Sequence, residues 1–440
     1  MLRHSALGLA GVGLVELTAS LRGTSVIDTV GSVVVDLAPL PVVEQTVRFV
    51  GIADKHLTRF GIATTAAATA GFALERAGAA APPRWAAGLG LLAGTAALVR
   101  ARRRLAERTA RLERVPAHVE PLLEAPTSDD GAEEWPGLEP FVTDPGRFYV
   151  TDVNMRPPAI DLDAWRLQVG EAEFSYADLL RLGLQHRHAL LACVHNRLGW
   201  DRIGQSTWTG VPVGEVLSAA HVIDRDSAPG HGLDLVMTAV DGYRQVLPLE
   251  TALGADSWVV VGMGGSALPA SHGFPARVMT PGVVGQYNGV KWLARLDVVP
   301  SGSVEATWVA RGWPRETVWL RPMARIDSPA RTGMPPRLPR RLPSLPAGPT
   351  TVVGTAWHPP HGVAAVEVRV DDGPWQRAEL AREVSPSSWR RWRLEVPLDE
   401  GRHTLTARCI SRDGTVQEAR PSPPFPDGTT GHHQVRLRVR

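Results

Sequence analysis

The C-terminal stretch 350–440 alternates too strictly to be anything but strands. Val366, Val368 and Val370 interleave with Glu367, Arg369 and Asp371, and Asp372-Gly373 then supplies a hairpin turn. Trp392, Leu394 and Val396 repeat the pattern, as do Leu405, Ala407 and Cys409, and again Val435, Leu437 and Val439. A period of two over several short runs turns one face of each strand to a core. This predicts an immunoglobulin-like β-sandwich over 350–440. Cys409 falls on the inward phase and reads as a core thiol.

Residues 1–105 follow another rule, being rich in Ala, Gly, Leu and Val and poor in charge. Phe60–Leu74 is uncharged between Arg59 and Glu75, and Trp85–Val99 is uncharged between Arg84 and Arg100. As helices these runs are roughly 22 Å long, short of a ~30 Å hydrocarbon core, and flanking arginines could extend them by snorkelling. Ser5–Leu21, broken by Glu16, and Ser25–Val43, broken by Asp28 and Asp36, precede them. The expectation is a membrane-embedded helical region of two to four spans, against the alternatives of a soluble bundle or a signal-like start. Arg100, Arg102, Arg103 and Arg104 would lie on the cytoplasmic side by the positive-inside rule. Residues 106–147, helical, acidic and proline-containing, read as a tether.

In 148–325, strand-like runs (Trp165–Val169, Leu233–Ala239, Trp258–Val261, Leu293–Val299) mix with short helical ones (Tyr176–Leu182, Val213–Ala220). This predicts a mixed α+β domain rather than a βαβ repeat. Gly262-Met263-Gly264-Gly265 is the nearest approach to a dinucleotide fingerprint and lacks the strand–helix context one needs, which speaks against a nicotinamide dehydrogenase. Residues 326–349, dense in proline and arginine from Pro329 to Pro349, read as an extended linker. The 440 residues exceed what one core holds. A net charge of +2 implies no nucleic-acid footprint. Two cysteines and no C-x-x-C pair argue against iron–sulfur clusters, structural zinc and c-type haem attachment.

Cys193, in Leu191-Ala192-Cys193-Val194-His195-Asn196, is the residue with most chemical promise, since a thiolate is a soft ligand for a soft or high-valent metal. Downstream come Trp208-Thr209-Gly210-Val211, Asp241-Gly242-Tyr243, His272-Gly273-Phe274-Pro275-Ala276-Arg277 and Gly289-Val290-Lys291-Trp292. This ordered series resembles the sulfite oxidase family of molybdopterin enzymes. With Pro424-Phe425-Pro426-Asp427-Gly428, it resembles the family's bacterial membrane-anchored branch over roughly 135–440.

The resemblance implies a molybdenum–molybdopterin cofactor with Cys193 as the metal's protein ligand. It implies Asn196, His272, Arg277, Gly289, Val290 and Lys291 around the pterin and its phosphate, and Tyr149, Asp152 and Asp241 nearby. Asp241-Gly242 is equally an ordinary turn, and Trp292 reads as core. The resemblance further implies oxygen-atom transfer with a sulfur oxyanion or S-oxide, a separate electron partner (a cytochrome or the quinone pool), a homodimer through the C-terminal domain, and a catalytic domain on the outer membrane face, opposite to what the arginine cluster implies. Val150, Trp200, Val261 and Gly264 depart from residues common in relatives and imply a less charged pocket, which favours an S-oxide over sulfite. A rival reading is a non-catalytic membrane-anchored binding module.

Overall fold

The structure, a computed structural model, describes residues 2–22, 24–37, 54–127, 129–152, 154, 156–224, 231–254, 256–329 and 344–440. It divides into two compact units, Met1–Arg114 with Val150–Leu162, and Val115–Tyr149 with Asp163–Arg440.

The first unit carries helices α1 (Leu2–Leu21), α2 (Val26–Leu37), α3 (Asp54–Arg76) and α4 (Arg84–Leu112). α1 packs against α3 and α4. Glu16, which interrupts the first apolar run, is buried and serves as a cap: its Oε2 accepts from the N–H groups of Val26 and Ile27 at 3.0 and 3.2 Å, at the start of α2. Arg59 on α3 pairs with Asp28 on α2 at 2.6 Å. Of the two to four spans expected, one described helix, Arg3–Leu21, is long and apolar enough to cross a membrane by length and composition. α3 and α4 contain the two uncharged runs but extend through their charged flanks. The end of the Ser25–Val43 run, from 38 onward, lies outside the described residues.

The second unit contains the α+β domain expected from sequence. Its strands are β1 (Leu167–Val169), β2 (Ala172–Phe174), β3 (Gln185–Ala192), β4 (Ile203–Pro212), β5 (Leu233–Ala239), β6 (Arg244–Pro248), β7 (Trp258–Met263), β8 (Ser266–Ala267), β9 (Arg277–Met279) and β10 (Leu293–Pro300). One sheet runs β2-β1-β10-β5-β6; the other runs β3-β4-β7-β8, with β9 on β7. β7 is buried along its whole length, the burial its Trp-Val-Val-Val core demands.

The sandwich follows. β11 (Met323–Ser328), β12 (Ser344–Leu345), β13 (Gly348–Trp357), β14 (Val363–Val370), β15 (Gln376–Arg377), β16 (Glu379–Leu380), β17 (Arg390–Leu398), β18 (Gly401–Ser411) and β19 (His433–Val439) form two sheets, β11-β13-β17-β16 and β12-β19-β18-β14-β15. Val366, Val368, Trp392, Val396, Leu405, Ala407, Leu437 and Cys409 fill the space between them, as the alternation requires. Burial pushes the Cys409 thiol up to about 12. The sandwich begins before residue 350, because β11 buries Ala324 and Ile326 against β13. The intervening residues 330–343 of the expected linker lie outside the described residues.

The stretch 115–149 packs on both domains of this unit. The buried carboxylate of Asp130 pairs with the buried guanidinium of Arg391 on β17, and Trp389 Nε1 donates to Phe141 O at 3.0 Å. Thr143 exchanges hydrogen bonds with the backbone of Gln205 on β4.

A buried polar cluster contributes to the sandwich's pH response. His433 Nδ1 accepts from the Ile326 N–H at 3.0 Å, and burial with Arg325 nearby holds the imidazole down to about 4. Burial lifts Asp327 to about 6 against the pull of Arg325, with which it pairs at 2.5 Å. Between its ordinary value and about 4, His433 binds more protons unfolded than folded, so its contribution is present above that window and lost as pH falls through it. Asp327 has the opposite sign below pH 6. The two shifts are similar in size and opposite in sign, so together they leave the urea midpoint of the protein little changed between about pH 6.5 and pH 4. Asp327→Asn should expose a fall in stability as the pH drops through that window and His433→Gln a rise, each by at most about 3 kcal/mol.

Candidate functional site

The site is built where β3 ends and β4 begins. Ala192 pairs with Ile203, and the Cys193 N–H donates to Arg202 O at 2.9 Å, so the ladder places Cys193 opposite Arg202 at the base of the hairpin. The Asn196 N–H donates back to Cys193 O at 2.9 Å and closes the turn. Cys193 and Arg202 are both buried.

Behind the hairpin lies Tyr149. A Cβ on Gly285 would fall 3.0 Å from both the Tyr149 hydroxyl and Ala192 O, and 3.3 Å from Cys193 Cα, so that glycine lets the three strands of chain meet. Burial above all raises the Tyr149 phenol well above its usual range; the neighbouring Cys193 adds to this, and Arg277 and Arg202 oppose it. These four side chains therefore share one electrostatic neighbourhood.

Arg277 opens β9, where Val260 of β7 is its register partner. Its Nη1 donates to His272 O at 3.1 Å, and its guanidinium carbon lies 5.5 Å from the centre of the Trp208 ring. Burial pulls this guanidinium down to about 10, with Tyr149 acting against the shift. The Nε atoms of Arg277 and Arg202 and the Oδ1 of Asn196 are buried without a hydrogen-bond partner among the described residues. Buried cations left in this state call for an anion.

His272 is buried, its Nε2 within 3.2 Å of Pro145 O and its ring edge-on to Phe148, which also meets Trp208 edge-on. Lys291 donates to Ser271 O at 3.1 Å and sits 4.5 Å over the Trp292 ring. Trp292 is buried and donates to Ala270 O at 2.7 Å, the core role expected of it. Val290 O accepts from the Val278 N–H, and Gly289 runs so close to β9 that a Cβ would lie 2.1 Å from Val278 O. His272, Arg277, Gly289, Val290 and Lys291 are thus gathered around β9.

Asp241 follows Val240, whose N–H donates to Trp292 O at 2.8 Å next to Lys291. Asp241 is exposed, and its Oδ1 accepts from the Tyr243 N–H at 3.0 Å, so it shapes the turn after β5. Asp152 belongs to the first unit, whereas Tyr149 belongs to the second.

Cys193 and Asn196 also line an open cleft enclosing about 380 Å³, solvent included. Its other walls include Trp319 and Arg321 ahead of β11, Trp357 on β13, and Asp427–Thr429 ahead of β19. Nearby, His195 meets Trp313 edge-on, and Trp313 meets Phe425. Burial, then Arg202 and Arg197, pulls His195 down to about 4, so it is neutral at physiological pH. Sequence reading named none of Arg202, Trp319, Arg321 and Asp427 for the site. The hairpin register would have found Arg202, and Asp427 lies inside the quoted Pro424–Gly428 phrase, where no role was assigned to it.

Comparison with known proteins gives a consistent result. Residues 154–307 match the model of the oxidoreductase molybdopterin binding domain. The chain is 30% identical over 314 residues to the mitochondrial sulfite oxidases of Macaca fascicularis and Homo sapiens, covering 62% of this chain and 56% of each relative. It thus spans little more than half the length of those proteins. It is 30% identical over 320 residues to the sulfite oxidase of Gallus gallus, covering 63% of this chain and 68% of that relative. The crystal structure of the sulfane dehydrogenase SoxCD from Paracoccus pantotrophus shares the fold, with a TM-score of 0.55 and 21% identity over 75% of this chain and 94% of that one. The chain belongs to the sulfite oxidase family of molybdenum oxidoreductases, and the cofactor of its central domain is molybdopterin.

Proposed function

We propose that this protein transfers an oxygen atom between a molybdenum held by Cys193 and a small sulfur compound. The observation that carries the proposal is the pairing of a buried cysteine that lines a cleft with two buried arginines off that lining. The residues fit an anionic cofactor. The partnerless Nε atoms of Arg202 and Arg277 suit the negative charge of a pterin phosphate and dithiolene. Lys291 adds a point charge, and Gly289 and Val290 offer close backbone.

When bound, the cofactor supplies the two-electron oxygen-atom chemistry. The chain's own part is to ligate through Cys193 Sγ, to neutralise the pterin with Arg202, Arg277 and Lys291, and to keep Tyr149 and His195 uncharged beside the thiolate. Oxidation of sulfite would take one water and release sulfate, two protons and two electrons. Reduction of an S-oxide would consume two protons and two electrons and release the sulfide and water. The apolar walls of the cleft favour the S-oxide as the second reading. On family likeness, the electrons are assigned to a separate partner, a membrane cytochrome or quinone.

Anchoring of the first unit in a membrane is part of the proposal. It is supported by the apolar helix Arg3–Leu21 and by exposed Phe60, Trp85, Leu89 and Leu92 on α3 and α4. The catalytic unit is assigned to the outer face, and dimerisation to the sandwich, on family likeness.

Protein from cofactor-replete cells is expected to hold molybdenum at about one per chain. Its absence would favour a binding module. Cys193→Ser should lose turnover with sulfite and S-oxides alike while keeping its circular dichroism and Tm; persistent turnover would refute the ligand assignment. Arg277→Met should lower pterin and molybdenum content about tenfold or more, read by metal and pterin analysis.

A further inference from the structure

The cleft lined by Cys193 has an unusual charge balance. Among its described lining residues, the formally charged side chains are Arg321 and Asp427, and they are paired: the Arg321 guanidinium donates through one nitrogen to the Asp427 carboxylate. Val194, Val284, Trp319, Leu320, Met323 and Trp357 make the rest of the wall mainly apolar.

Asp427 sits on a loop fastened on both sides. The Gly428 N–H donates to Pro424 O at 2.7 Å, and Thr430 Oγ1 donates to Arg420 O at 2.6 Å. Phe425 packs edge-on against Trp313 with ring centres 4.9 Å apart. The carboxylate is thereby held where an incoming anion would meet it. An oxyanion drawn to Arg321 must either displace Asp427 from the one guanidinium nitrogen that holds it or bind another N–H beside that negative charge, at a cost that the half-exposed setting of both side chains keeps modest. An uncharged sulfur compound meets neither cost and gains the apolar wall.

We propose that the Arg321–Asp427 pair makes this site selective for an uncharged organic sulfide or S-oxide over sulfur oxyanions, with Asp427 as the specificity-determining residue. This deepens the functional reading above and rests on it.

The test compares the full chain with Asp427→Asn and Arg321→Gln, all loaded with molybdenum to the same extent. The first readout is the ratio of kcat/KM for sulfite to kcat/KM for methyl phenyl sulfoxide, each with an artificial redox dye. The second is calorimetric binding of sulfate, which needs no turnover. The wild-type ratio should favour the sulfoxide. Asp427→Asn should raise the ratio and tighten sulfate binding about tenfold, whereas Arg321→Gln should lower the ratio.

A wild-type preference for sulfite overturns the inference. So does a shift of both variants in the same direction, which is what a merely structural ion pair would give. If a fully loaded protein turns over neither compound, the functional reading fails. Sulfate binding then still decides the charge inference: tightening in Asp427→Asn supports it, and no change overturns it.

Discussion

The fold of the central domain is organised around a charge it cannot neutralise by itself. Arg277 is buried at the head of β9, and Arg202 is buried at the base of the β3–β4 hairpin. Both act on the same buried phenol, Tyr149. A phenol held neutral by burial is no counter-ion, so the fold carries an electrostatic cost until an anion arrives. The surrounding polar and aromatic groups hold that state open. His272 O takes one hydrogen bond from Arg277, and Trp208 offers its ring to the same guanidinium. Ligand affinity and fold stability are therefore coupled, since a group that binds only the folded chain stabilises it by mass action.

The sandwich is part of the site rather than an appendage. Trp357 from β13 and Asp427–Thr429 from the loop before β19 line the same cleft as Cys193. Arg325 of β11 donates to Trp200 O at 3.2 Å, inside the loop that follows Cys193. The stretch 115–149 fastens the two domains from a third direction through Asp130, Phe141 and Thr143. The shape of the cleft beside Cys193 thus depends on how the sandwich is seated. Even Asp327 and His433, far in sequence from the cysteine, belong to the polar cluster around Arg325 that seats it.

Elements whose signal is local were legible in the sequence. Leu233–Ala239 was read with both ends in place, because a run of buried apolar residues between turn residues has few alternatives. The alternation of 350–440 gave the sandwich and the inward place of Cys409. The motifs gave the residues around β9. What escaped depends on long-range register. Arg202 matters only because β3 and β4 pair, and Arg321 and Asp427 matter only because residues 106 apart in sequence meet. Charge composition carries no trace of such a meeting. The first unit shows the converse: an uncharged run marks the middle of a helix, but the helix continues into its charged flanks, so run length alone does not count spans.

Cys193 separates two electrostatic worlds. On the side of Tyr149 lie buried guanidinium groups without a carboxylate among the partners found for Arg277; on the cleft side the cation is already paired. A sulfur at this boundary would face a positive, dry cradle behind and a neutral, mainly apolar pocket in front. On the proposals above, the two sides would sort ligands by charge, the anionic cofactor to the cradle and an uncharged substrate to the pocket. A pocket as cationic as the cradle would also draw in phosphate and other small anions. On that proposal, pairing Arg321 with Asp427 would weaken this competition.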